Sequence, residues 1–137
     1  MRYFLIGLGS NIQPEHNMPH ACSIIALHVD VISYSPVLIN PPQGKTFNFI
    51  FHNQLLLVRS DLDDAALKII FADVEISMGR EAKTPARKFK DRPIDIDILH
   101  QSDDVNTLLA HRFDEPYNQT IMARWHDIKP SLTADND

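Results

Sequence analysis

The chain has 137 residues, 44% hydrophobic and 23% charged, with a formal net charge of −5. That length fits one domain with a full core, and the acidic balance excludes the basic footprint that non-specific nucleic-acid binding requires. The single cysteine, Cys22, excludes an intrachain disulfide, cannot alone supply a thiolate zinc site, and suits a reducing compartment. Its spacing from Met18, Ala21 and Ile25 predicts a buried helix position.

Tyr3 to Leu8 is an apolar run too short for a signal peptide or a membrane span, so the expectation is a cytoplasmic protein with no membrane partner. It reads as a buried strand ending in a tight turn at Gly7-Leu8-Gly9-Ser10-Asn11. A dinucleotide-binding glycine pattern fails there, because its third glycine would fall on Ile12. Glu15 to about His28 is predicted as the first helix, with Pro14 and Pro19 at or near its start. His16 and His20 lie four apart, but without the accompanying glutamate that a helical zinc motif needs. Val29 to Tyr34 reads as a strand broken by Ser35-Pro36. Asn40 to Lys45 reads as a proline-stiffened loop released at Gly44. Phe47 to Val58 is predicted as a long strand, with Phe47, Phe49, Phe51 and Asn53 on one face. Ser60 to Met78 is the clearest helix: Ser60 is the expected cap, Leu67, Ile70, Phe71, Val74 and Met78 the buried stripe, and Gly79 the stop.

Residues 80–92 follow, with six basic and two acidic side chains, locally +4 in an acidic protein. A polar run of that length without periodicity reads as a loop. It leads into Arg92-Pro93-Ile94-Asp95-Ile96-Asp97-Ile98-Leu99, which alternates with period two. Ile94, Ile96 and Ile98 fall on one side, Asp95 and Asp97 on the other, about 7 Å apart by strand rise. Two like charges so placed repel unless water or a cation separates them. Solvated acids on an exposed strand face are one reading. The other is Mg²⁺, which takes one or two carboxylates and completes its shell with water and phosphate oxygens. The adjacent basic loop favours phosphoryl chemistry, because arginine and lysine neutralise the charge that a metal leaves on a polyphosphate. Beyond Leu99 the pattern is less regular. His111, Phe113, Tyr117 and Trp125 are available to line a site or close the core. The element order predicts an α+β, ferredoxin-like sandwich: an antiparallel-rich sheet covered by helices on one face. A single domain over 1–137 is expected, with 133–137 as a frayed acidic tail.

Five pieces together resemble the 6-hydroxymethyl-7,8-dihydropterin pyrophosphokinase family, over about residues 3 to 130. They are Gly9-Ser10-Asn11, Pro41-Pro42-x-Gly44, Phe51-x-Asn53, Glu75-x-x-x-Gly79-Arg80, and Arg92-x-x-Asp95-x-Asp97-Ile98-Leu99. The resemblance implies small-molecule substrates, ATP and a pterin, with diphosphate passed from ATP to the pterin hydroxymethyl group and AMP released. It implies two Mg²⁺ ions held by Asp95 and Asp97, and Asn53 reading the pterin amide edge with Phe51 stacked on its ring. Pro42, Gly44 and Phe89 would contact or cover the pterin. Arg92, Arg80, Lys83, Arg87, Ile98 and His111 would serve the nucleotide, with Arg92 and Arg80 part of the catalytic set.

After the last matched strand the family has an arginine and then an aromatic residue, and here Asn118 and Thr120 occupy those positions. Phe113, Tyr117 and Trp125 are the rings left to fill the gap, and Arg112 and Arg124 the charges. The alternative expectation is therefore a divergent relative with weak or no turnover, or one that binds a different pterin-like ligand.

Overall fold

A computed structural model describes residues 1–40, 50–79 and 93–125. Its elements are β1 (Arg2–Ser10), α1 (Pro14–Ile25), β2 (Asp30–Tyr34), β3 (Leu38–Asn40) and β4 (Phe51–Ser60). They continue with α2 (Asp64–Ser77), β5 (Asp95–Ser102), α3 (Val105–Leu109) and α4 (Pro116–Arg124). The five-stranded sheet has the order β2-β4-β1-β5, with β3 also on β4, and its pairings are antiparallel. This is the expected α+β ferredoxin-like arrangement.

The central strands show why. Phe4, Ile6 and Leu8 of β1 pack with Met18, Ala21 and Ile25 of α1 and with Leu67, Phe71 and Val74 of α2. Leu5 of the same strand faces the other way, joining Leu55 and Leu57 to α3, Phe113, Ile121 and Trp125. A strand that is apolar at successive positions is buried on both faces. The helices accordingly cover both sides of the sheet, α1 and α2 on one and α3 and α4 on the other, which corrects the one-sided cover expected from the pattern. Trp125 closes this second layer, with its indole Nε1 donating to Ser33 Oγ at 3.0 Å.

Several boundaries differ from expectation for local reasons. Ser60 does not cap α2: it ends β4, and its Oγ accepts from the Leu62 amide at 3.1 Å. Asp63 is the cap, accepting from the Ala66 amide at 2.9 Å. Pro19 stands inside α1 rather than near its start. The break at Ser35-Pro36 separates β2 from an unexpected short strand, β3, on the same neighbour. Ser35 keeps β4 satisfied across it, because its amide donates to Leu55 O and its Oγ accepts from the Leu55 amide at 2.8 Å. Gly79, at φ +96°, does stop the helix as expected. Phe47 and Phe49, the loop through Lys45, residues 80–92 and the expected frayed tail lie outside the described residues.

Candidate functional site

The site is set by strand register. Gly9 of β1 pairs with Asn53 on one side and Asp95 on the other, and Gly7 pairs with Leu55 and Asp97. Paired residues in a sheet present their side chains to the same face. Asn53, Gly9 and Asp95 therefore form one row, about 10 Å across at two strand spacings, and Leu55, Gly7 and Asp97 form the next. A glycine at the middle of each row leaves a trough between the flanking groups. The fit is tight: a Cβ on Gly9 would stand 3.3 Å from Asn53 Oδ1, and one on Gly7 3.0 Å from Leu99 Cδ1, so either side chain would have to shift.

The trough is the floor of an open cleft on the α3–α4 side. Asn53, Asp95 and Asp97 line it together with Leu99 and, from the first turn of α4, Tyr117 and Asn118. Asp95 is half-buried and Asp97 exposed. The strand between them is pinned from the opposite face by Glu75 of α2. Its buried carboxylate accepts from the Ile96 amide, between the two aspartates, at 2.7 Å. β5 is a sheet edge, so this bond satisfies an amide that faces no neighbouring strand. On β4, Gln54 steadies the strand beside Asn53 by donating to Ser35 O at 2.9 Å.

The alternation of β5 breaks just past the aspartates. Ile98 opposes Ile6 but His100 opposes Leu5, so Leu99 is an extra residue in the register. This bulge places His100 on the α3–α4 side, where its ring stacks on His111 with centroids 3.9 Å apart, and Phe113 meets His111 edge-on. Burial, reinforced by the neighbouring His111, holds His100 below the usual imidazole range.

The expected site residues divide as follows. Asn53, Asp95 and Asp97 come together in the cleft. Phe51 shares the Asn53 face of β4, two positions toward the strand start. Ile98 packs against the α1–α2 core instead; period two turns its side chain away from the cleft, so only its backbone is available there. His111 is engaged with His100. Pro42, Gly44, Arg80, Lys83, Arg87, Phe89 and Arg92 lie outside the described residues. Cys22 is on α1 as expected but only half-buried, packed against the edge of the core with its Sγ 3.7 Å from Gln54 Oε1. Burial pushes its thiol up to about 11, which removes it as a nucleophile. His16 and His20 are exposed, and no group of three or more metal-capable side chains occurs among the described residues. A pair of hard carboxylates beside open space suits Mg²⁺, whose remaining ligands come from water and substrate.

The model of the 7,8-dihydro-6-hydroxymethylpterin-pyrophosphokinase (HPPK) family matches residues 5–129. The chain belongs to that family. It is similar to three curated proteins named 2-amino-4-hydroxy-6-hydroxymethyldihydropteridine pyrophosphokinase. The Campylobacter jejuni protein is 33% identical over 106 residues, covering 74% of this chain and 64% of the relative. The Helicobacter pylori protein is 31% identical over 100 residues, covering 69% and 60%. The Porphyromonas gingivalis protein is 30% identical over 104 residues, covering 74% and 71%. The chain thus spans somewhat under two thirds of the length of the first two. The HPPK match takes in the cleft from Gly7 to Asn118.

The parts played by five residues at the cleft were only partly legible in the sequence. Gly7 and Gly9 carried a signal in their spacing, read only as a turn. Tyr117 was among the rings available to line a site and Asn118 was a departure from the family pattern, but a first-turn Asn and Tyr on a short polar helix did not show that both would face the cleft. Glu75 lay beside Val74 within the span of the expected apolar stripe but was not counted in it, and its appearance in the Glu75-x-x-x-Gly79-Arg80 piece was the usable clue.

Proposed function

We propose that this chain transfers the β,γ-diphosphate of ATP to the hydroxymethyl oxygen of 6-hydroxymethyl-7,8-dihydropterin and releases AMP, a step in folate biosynthesis. HPPK membership and the names of its relatives support the reaction class. The observation that carries the reading is the row Asn53–Gly9–Asp95, which sets a carboxamide and a carboxylate across an open trough.

In this reading Asn53 pairs with the amide edge of the pterin and Phe51 covers its ring, while Asp95 and Asp97 hold two Mg²⁺ ions against the triphosphate. Bound Mg²⁺ supplies charge neutralisation on the phosphate oxygens. The protein's part is to hold the hydroxymethyl oxygen in line with the β-phosphorus and the departing AMP oxygen. Glu75 fixes the backbone between the two aspartates, so their spacing does not depend on the metal. Arg92 and Arg80 in the catalytic set, Lys83, Arg87 and His111 on phosphate, the Ile98 backbone on the nucleotide, and Pro42, Gly44 and Phe89 at the pterin complete the proposed site. The domain is proposed to act as a single unit in the cytoplasm. No helix among the described residues is long and apolar enough to cross a membrane.

The test is AMP formation from ATP, Mg²⁺ and the hydroxymethyl pterin, followed by chromatography. Turnover by the native chain and its loss in Asp97→Ala, with an unchanged circular dichroism spectrum, is the expected result. Asp97→Ala turning over like the native chain would remove the metal role. A native chain that binds the pterin but forms no AMP would indicate the divergent alternative.

A further inference from the structure

The structure gives Asn118 a defined setting on α4. Asn118 is 3% exposed, on the first turn of α4, and lines the same cleft as Asn53. Its Nδ2 lies 3.2 Å from Glu115 Oε1. A carboxylate only accepts, so the amide nitrogen must face Glu115, and the carbonyl Oδ1 is the atom left for another partner. The orientation of the side-chain amide is therefore fixed by its neighbour. Next to it Tyr117, 37% exposed, lines the cleft. The α4 wall is thus an oriented carbonyl beside a ring, with no positive side chain among the described residues that line the cleft.

We propose that Asn118 is a specificity-determining residue: its Oδ1 accepts from an exocyclic amino group on the bound heterocycle, and Tyr117 covers the ring's face. This rests on the pterin reading above and refines it. An oxygen acceptor at this place favours a ring bearing an amino group and opposes one bearing a carbonyl there, since two acceptors repel and the buried carbonyl is left unpaired. The cleft then selects its ligand on two walls, Asn53 from the sheet and Asn118 from α4. The positive charge needed for phosphates comes from elsewhere in the chain.

The experiment compares equilibrium binding of 6-hydroxymethylpterin with that of its lumazine counterpart, in which an oxo group replaces the amino group. The proteins are the native chain, Asn118→Leu, Glu115→Ala and Tyr117→Leu. The native chain is expected to prefer the amino ring by about tenfold, the yield of one well-made hydrogen bond. Asn118→Leu should bring the two rings to within about twofold of each other by weakening only the amino ring. Glu115→Ala, which releases the amide without entering the cleft, should reduce the preference part-way and covers the case in which Asn118→Leu does not fold. Tyr117→Leu should weaken both rings equally. A preference unchanged in both Asn118→Leu and Glu115→Ala overturns the assignment while leaving the pterin reading standing. Equal weakening of both rings in Asn118→Leu also overturns it, since that is what a purely structural role would produce. A folded native chain that binds neither ring overturns the pterin reading and this inference with it.

Discussion

At the scale of single residues, the site depends on two side chains that are absent. Gly9 separates Asn53 from Asp95 and Gly7 lies beside Asp97, so the polar groups face one another over open backbone. A Cβ at Gly9 would meet Asn53 Oδ1 at 3.3 Å, with its next neighbour, His52 O, at 3.9 Å. The carboxamide can give by a few tenths of an ångström, but only by leaving the position from which it is proposed to read the pterin. Gly9→Ala is therefore expected to retain the fold, with a melting temperature within a few degrees of native, and to lose about tenfold or more in pterin affinity. Calorimetric melting and ligand titration on the same sample check both halves. A large drop in melting temperature with unchanged affinity would mean the glycine serves the strand and not the trough.

At the scale of elements, the cap of α2 separates what spacing indicates from what geometry selects. Ser60 and Asp63 both suit a helix start, but Ser60 is committed to β4 and to the Leu62 amide, while Asp63 reaches the Ala66 amide. Asp63→Ala should cost about 1 kcal/mol and Ser60→Ala less, measured by urea unfolding; the reverse order would place the cap at Ser60. Every strand but the three-residue β3, and α2, were legible because long runs with period two or 3.6 carry their own signal. α3 has five residues and α4 nine, too short and too polar for that signal to register. Their docking was hidden in Leu5, Leu55 and Leu57, which needed a second layer to bury them. The register shift at Leu99 was equally hidden, since a bulge leaves residue types unchanged and alters only which face they meet. Asp95 and Asp97 precede the bulge, which is why period-two reading placed them correctly.

At the scale of the whole molecule, one sheet separates two unlike layers. α1 and α2 cover one face, while the short α3 and α4 cover part of the other and leave the cleft beside them. Stability and binding meet in the second layer, where His100 and His111 stack. His100 is held below the ordinary imidazole range, chiefly by burial, so near and below about pH 6.5 the unfolded chain binds more protons at this residue than the folded one. Its contribution is present above that value and is lost as pH falls toward the lower folded value, below which it levels off. Urea unfolding between pH 5 and 8 should show stability decreasing on acidification, with a shallower slope in His100→Phe, which keeps the stacked ring without the proton. An identical slope in the variant would assign the dependence to other groups.

The most direct test of the central claim, that β1 and β5 together build an ion-binding trough, uses Mn²⁺ in place of Mg²⁺ with a non-hydrolysable ATP analogue. Paramagnetic broadening of backbone amides by NMR then reports where the ion sits. Gly7 and Gly9, the partners of Asp97 and Asp95, are expected to broaden first, and Asp97→Ala to remove the effect. Broadening centred on the exposed Asp61 and Asp63 instead, with Gly7 and Gly9 unaffected, would contradict the account.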